Sequence, residues 1–314
     1  MRKVACVGIL VADIIVSTVE KYPEKGKLEN VDAITVHNGG NAMTAALNLR
    51  SLGVESAIFG KVGNDIYGNY LNDILVNKEV DVRGLSHDDS VQTSASIVIL
   101  DSSGERSFFH CVGANAVFSV DDVDFSVLEE YDMVFVTGSF LLSRFDGKET
   151  MEFLKKCKEM GKTTFLDVCW DASGRWGELL DCSMPYIDYF MPSIDEAVNI
   201  AQKSEPDEIA QVFMDKGVKN VIIKLGSKGS YMRLAGQEKG TVYPCYKVEN
   251  VVDTTGAGDS FCSGFLAGFA RGESLEDCIK FANATGAHCV QAKGASAGIK
   301  DYDTIKSFMK EREK

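Results

Sequence analysis

Apolar positions along the 314-residue chain fall into short runs of strand length, separated by longer stretches of helical spacing. Residues 4–10 form the first apolar run and lead into Val11-Ala-Asp13, which predicts a buried strand with Asp13 just past its C-terminal end. Residues 28–37 read as one or two irregular strands, and residues 42–52 fit a helix closed by Gly53. Residues 91–100 alternate in part, Asp101-Ser-Ser-Gly104 is a turn, and 105–111 is a second strand, so a hairpin is expected. From Asp132 the rhythm is regular. A strand at 133–136 is followed by a helix at 147–160, a strand at 163–167, a helix opening after Pro192 and a buried strand at 220–225. Phe261, Phe265, Leu266 and Phe269 recur at helical spacing over 260–271, and 275–291 is one long helix. The alternation predicts an α/β fold with a mostly parallel sheet and helices on both faces. No repeat or low-complexity linker interrupts it. Residues 1–314 are expected to form one domain, ending in a frayed charged tail at 310–314.

One stretch concentrates the chemistry: Asp253-Thr-Thr-Gly-Ala-Gly-Asp259-Ser-Phe261. Gly256, Ala257 and Gly258 are small enough for the backbone to approach a ligand and turn N–H groups toward it. The helix that follows presents the positive end of its dipole to the same point, which suits a phosphate. A carboxylate at an anion site needs another task, and taking a proton from an attacking hydroxyl is the obvious one for Asp259. Read alone, Gly-Ala-Gly-Asp describes equally well a tight turn whose Asp caps the helix.

Composition narrows the field. The net charge of −13 argues against broad nucleic-acid binding, because phosphate contacts need a basic surface. Nine scattered cysteines without a Cys-x-x-Cys pair, and four histidines without metal spacing, point to reduced core thiols and a cytoplasmic protein. Asp13 interrupts the N-terminal apolar run, so a strand is expected there rather than a signal peptide, and no run is long enough for a membrane span.

The nine-residue string resembles the C-terminal signature of the ribokinase-like (PfkB) carbohydrate kinases, and the similarity runs along the whole chain. Asn38-Gly39-Gly40-Asn41 before an Ala-rich helix resembles the family's N-terminal signature. Phe59-Gly-Lys-Val-Gly63-Asn-Asp65-x-x-Gly68 follows its strand, turn and helix, with Gly63 and Asp65 as turn and cap, and Gly113-Ala-Asn115 its turn after the lid. The resemblance implies a three-layer α/β/α sandwich with a small β-sheet lid from about 16–37 and 91–111, which pairs two subunits as a homodimer. It implies ATP and Mg2+ as cofactors, Asp259 as catalytic base, and an anion hole at Gly256, Ala257 and Gly258. The sugar is expected among Asp13, Gly39, Gly40, Asn41 and Thr44, with Arg106, His110 and Asp171 as further contacts. The nucleotide is expected near Ser193, Glu196, Lys224, Gly226, Ser227, Gly229 and Asn283, with the Gly294-Ala295 turn bordering the adenine. Glu196 would act on magnesium indirectly, and Asp253, Thr255 and Gly294 would hold a monovalent cation such as potassium.

The chain also departs from the family pattern. Members nearest to ribokinase itself carry Lys at the position of Asn41 and Asn at that of Thr44, which counts against ribose as the acceptor. Ser193 stands where the Pro-Asn-x-x-Glu motif has Asn. Asp167-Val-Cys-Trp-Asp171-Ala-Ser-Gly-Arg175-Trp replaces the family's Asp-x-Asn-x-Arg. A phosphosugar would call for a basic cluster, and Arg106, Arg144 and Arg175 are scattered in sequence. A dinucleotide oxidoreductase would need glycine where Phe261 stands, and P-loop and protein-kinase motifs are absent. A binding-only relative is disfavoured by the retained Asp259. A nucleoside kinase of the same fold is the alternative.

Overall fold

The strand that opens the chain sets the architecture. Val4, Ala5, Cys6 and Val7 have no exposed surface. Val4 and Cys6 pack into one core and Ala5 and Val7 into another, so this strand lies between two helical layers. The computed structural model describes residues 1–103, 105–294 and 298–312. Gly104 of the expected hairpin turn, Ala295 after the long helix and the last two residues of the expected tail lie outside the described residues.

The strands are β1 (Val4–Gly8), β2 (Val11–Ser17), β3 (Ala33–Gly39), β4 (Ser56–Gly63), β5 (Asp81–Asp88), β6 (Ala95–Leu100) and β7 (Arg106–Cys111). They continue with β8 (Met133–Ser139), β9 (Thr163–Val168), β10 (Tyr189–Phe190), β11 (Asn220–Lys224), β12 (Ser230–Arg233) and β13 (Thr241–Tyr243). The helices are α1 (Asn41–Ser51), α2 (Ile66–Asn77), α3 (Phe125–Leu128), α4 (Lys148–Glu159) and α5 (Gly177–Leu180). After them come α6 (Ile194–Ala201), α7 (Pro206–Asp215), α8 (Ala257–Arg271), α9 (Leu275–Cys289) and α10 (Tyr302–Arg312).

A nine-stranded sheet has the order β13-β12-β11-β10-β9-β8-β1-β4-β5, parallel from β5 to β11 and closed by the antiparallel pairs β11–β12 and β12–β13. Residues of α1, α2, α8, α9 and α10 build one core and those of α3, α4, α6 and α7 the other. Phe165 of β9 stacks on Tyr189 with ring centroids 4.9 Å apart, and Phe265 and Phe269 of α8 close over both rings. Asp65 caps α2 through the Tyr67 and Gly68 N–H groups, as expected from the sequence.

A second sheet, ordered β3-β2-β6-β7, stands apart from the first. Two boundaries differ from the sequence expectation, one of them in this sheet. β2 begins at Val11, so Asp13 lies inside a strand, paired with His37 and Ser96, and not in a loop after β1. Ile14, Ile15 and Val16 carry the strand onward. The expected tail is also helical as far as Arg312. Asp301 caps α10 through the Thr304 N–H, and Arg312 donates to the Lys247 carbonyl and lies over the Phe308 ring. Among the described residues no helix is long and apolar enough to cross a membrane.

Candidate active site

Every parallel strand of the large sheet ends on the same edge, and the site is built there. Gly256, with φ of 74°, turns the chain into α8. Ala257 donates to the Thr254 carbonyl at 3.2 Å, and Ser260 makes the first helical bond to Gly256. The Gly258 and Asp259 N–H groups therefore occupy the helix start without an intrahelical acceptor. Of the expected 256–258 set, Ala257 N–H is thus taken up within the turn.

Asp259 is half-buried on this first turn. Its Oδ1 accepts from the Asn41 side-chain amide at 2.8 Å, and the Asn41 oxygen accepts from the Cys169 thiol at 3.3 Å. Asn41, expected on the sugar, is thus hydrogen-bonded to Asp259. Burial pushes the Asp259 carboxyl up from the ordinary 3.8 to about 6, against the downward pull of Asn41 and Lys224. Asn48, late in α1, donates to Ser260 at the start of α8 at 3.2 Å.

Lys224, at the end of β11, forms an ion pair with Asp167 at 2.7 Å, and both side chains are largely buried. Burial alone would lower the lysine's affinity for its proton. Asp167, Cys262 and Glu196 reverse this and hold it above the ordinary lysine range, which favours the ammonium form. It lies beside Gly258, where an added Cβ would be 3.5 Å from its Nζ. Asp167 was not among the expected site residues. Its position at the end of β9 was the available signal.

Ser193 caps α6. Its Oγ accepts from the Glu196 N–H at 3.4 Å, and Glu196 Oε2 accepts from the Ser193 N–H at 2.7 Å. The Leu225 N–H closes the 226–229 loop onto the Gly229 carbonyl at 2.8 Å. These residues line a cleft of about 1020 Å³, which also takes in Ser227, Asn283, Trp170 and the turn of α8. Asn283 donates to the carbonyls of Tyr243 and Pro244, which fixes one wall. Cys245, Tyr246, Lys247, Val248 and Val251 form a further part of the lining that sequence reasoning missed, because the segment has no strand or helix period.

The small sheet supplies a second row of polar groups. Its register sets His37, Asp13, Ser96 and His110 side by side across four strands, and Ser96 Oγ bonds His110 Nδ1 at 3.0 Å. Burial raises the Asp13 carboxyl, with Ser96, His110 and His37 opposing. Gly39 and Gly40 make room for this row. A Cβ on Gly39 would stand 2.1 Å from Asp13 Oδ2, and one on Gly40 would stand 2.5 Å from the Ile9 carbonyl. Thr44 is buried on α1, one turn further on.

Other expected contacts are engaged elsewhere. Asp171 accepts from Ser173 N–H and Oγ and from Trp176 N–H, so its carboxylate shapes its own loop. Arg175 donates to Ser173 and Arg144 pairs with Asp121 and Glu149, so with Arg106 they do not converge. Arg106 reaches from β7 to Asp253 at 3.1 Å and to Thr255 Oγ1 at 2.5 Å. The Asp253 carboxylate also accepts from Thr255 N–H at 2.9 Å and Gly294 N–H at 3.0 Å.

Comparison with known proteins bears on this geometry. The sequence model of the pfkB family carbohydrate kinases matches residues 1–301. The chain is 29% identical to the ATP-dependent 6-phosphofructokinase of Thermoanaerobacterium thermosaccharolyticum, over 88% of this chain and 86% of that protein. It is 29% identical to the aminoimidazole riboside kinase of Salmonella typhimurium, over 86% of this chain and 87% of that one. Among solved structures, Arabidopsis thaliana ribokinase complexed with ribose and ATP superposes with a TM-score of 0.84 at 26% identity, covering 98% of this chain and 99% of its own. The chain belongs to the pfkB family of carbohydrate kinases, phosphotransferases with an alcohol acceptor built on the ribokinase fold.

Proposed function

We propose that this protein transfers the γ-phosphate of ATP to a hydroxyl of a small carbohydrate, with Asp259 as the general base. One arrangement carries the reading: a carboxylate aimed by Asn41 at 2.8 Å, on the first turn of α8, beside a cleft large enough for a nucleotide. With its proton affinity raised to about 6, Asp259 is ionised at neutral pH yet basic enough to take the acceptor's proton during in-line attack. The helix N-terminus and the Lys224 ammonium stabilise charge on the transferring phosphoryl group. Asp13 and His110 hold acceptor hydroxyls, and the small sheet acts as a lid that keeps water from the phosphate.

Magnesium would neutralise the ATP phosphates. Among the described residues no three His, Cys, Asp or Glu side chains gather into a metal cage, so the ion fits as one carried by the phosphates through its waters. Glu196 Oε1, beyond the capping bond of Oε2, is the protein group suited to those waters. A potassium ion would be held by the carbonyls of Asp253, Thr255 and Gly294, since Arg106 already neutralises the Asp253 carboxylate.

A second copy of the chain is the partner that suits the lid. On the face opposite Asp13 the register aligns Val36, Ile14, Ile97 and Phe109, and the last two are 44% and 63% exposed. Pairing two such faces would bury them.

A nucleoside acceptor is the second reading. Trp170, 57% exposed at the cleft and edge-on to Trp176, offers a ring for a base. The test is ADP release with Mg-ATP against free sugars, sugar acids, phosphosugars and nucleosides. Turnover on a sugar supports the first reading, and turnover on nucleosides alone supports the second. Silence across the panel with ATP bound contradicts both.

A further inference from the structure

We propose that Arg106 is a latch: a positioning residue that fastens the small sheet to the turn at the start of α8 by pairing with Asp253. This rests on the kinase reading above for its consequence, though not for its geometry.

Arg106 pairs with Leu100 at the outer end of the β6–β7 hairpin, while the Asp13–His110 row lies about 13 Å further along the strands. The sheet thus spans from the acceptor end to the phosphoryl turn, and Arg106 is its contact at the far side. One guanidinium nitrogen lies 3.1 Å from Asp253 Oδ2 and another 2.5 Å from Thr255 Oγ1. The same carboxylate binds the Thr255 and Gly294 N–H groups. Asp253 therefore joins three segments distant in sequence: the sheet tip, the turn that leads into Gly256, and the turn after α9. When the sheet lifts to admit an acceptor, Asp253 loses its countercharge and the turn loses a tie. When the sheet closes, the turn is fixed at the moment chemistry requires it.

Two features favour a latch over a direct role on the nucleotide. Two of the guanidinium nitrogens are already engaged by Asp253 and Thr255, and Arg106 does not line the cleft.

A double-mutant cycle tests the latch: R106Q, D253N, the double variant, and R106K as the conservative change. The first readout is amide hydrogen exchange over β6 and β7 in protein without ligand, which needs no activity. The latch predicts about tenfold faster exchange in R106Q, the same in D253N, no further increase in the double variant, and partial recovery in R106K. The second readout is kinetic. With the acceptor identified, kcat should fall about tenfold or more in R106Q while KM for ATP changes less than about threefold. Unchanged exchange in R106Q overturns the latch, even if D253N fails to fold. A large rise in KM for ATP in R106Q but not D253N also overturns it, and makes Arg106 a phosphate ligand. Wild-type protein with no turnover on any acceptor defeats the kinase reading and leaves the exchange result to decide the latch.

Discussion

The two sheets use similar apolar residues and treat them in opposite ways. Val4 to Val7 in β1 are fully enclosed, whereas every residue of β7 is exposed, including Phe108 and Phe109 at 61% and 63%. Helices cover both faces of the large sheet, so its strands must be apolar throughout. The small sheet meets α1 and α2 but, among the described residues, is not enclosed between helical layers. One face carries the Asp13 row and the other is bare, so its strands mix chemistry with apolar surface. Burial places stability in the first sheet, and the function proposed above places closure and acceptor recognition in the second.

This contrast is open to direct attack, beginning with the largest expected effect. Phe165→Ala removes a ring packed among Tyr189, Phe265 and Phe269. It should destabilise the fold by about 3–5 kcal/mol in urea titration. A loss below about 1 kcal/mol would mean the large-sheet core is not what holds the chain. Lys224→Met leaves Asp167 buried without its partner. It should cost about 2–4 kcal/mol, somewhat relieved by water in the cleft, and should also depress turnover. If turnover survives, the ammonium has no part in holding phosphate. Phe109→Ser lies at the other extreme. It should change unfolding free energy by less than about 0.5 kcal/mol per monomer, yet shift the proposed dimer toward monomer in sedimentation. A large loss of monomer stability would give the small sheet a structural role that its exposure denies.

The legibility of the sequence follows the same division. Strands β1, β8, β9 and β11 were readable because a continuous apolar run covered on both faces has few other interpretations. The start of β2 was not, because Asp13 looks like a strand end until its neighbours His37 and Ser96 are known. Helix α10 was hidden by its charged end, which is held by a carbonyl at Lys247 and a ring at Phe308. In the site, Asp259, the glycine turns, Ser193 with Glu196 and the 226–229 loop stood out through local motifs. What could not be read were pairings across the fold: Asn41 with Asp259, Lys224 with Asp167, Arg106 with Asp253. Each joins residues more than fifty positions apart, and no local period encodes such a contact.

Asp259 also links activity to stability. Its carboxyl holds a proton to higher pH in the folded state, about 6, than at its ordinary 3.8. Its contribution to stability is therefore fullest below pH 4 and declines as pH rises through 6. Asp259→Asn should remove that loss and stabilise the protein by about 1–2 kcal/mol at pH 8. No gain on thermal unfolding at pH 8 would mean that the carboxylate is well solvated.

The pH dependence of kcat, measured for wild type and Asp259→Asn on the same acceptor, tests the central claim most directly. The account predicts a wild-type acid limb with an apparent pKa near 6, and a variant slower by roughly 10²–10⁴-fold with ATP affinity changed only a few-fold. Near-normal turnover by the variant, with the acid limb intact, would contradict it and remove Asp259 as the base.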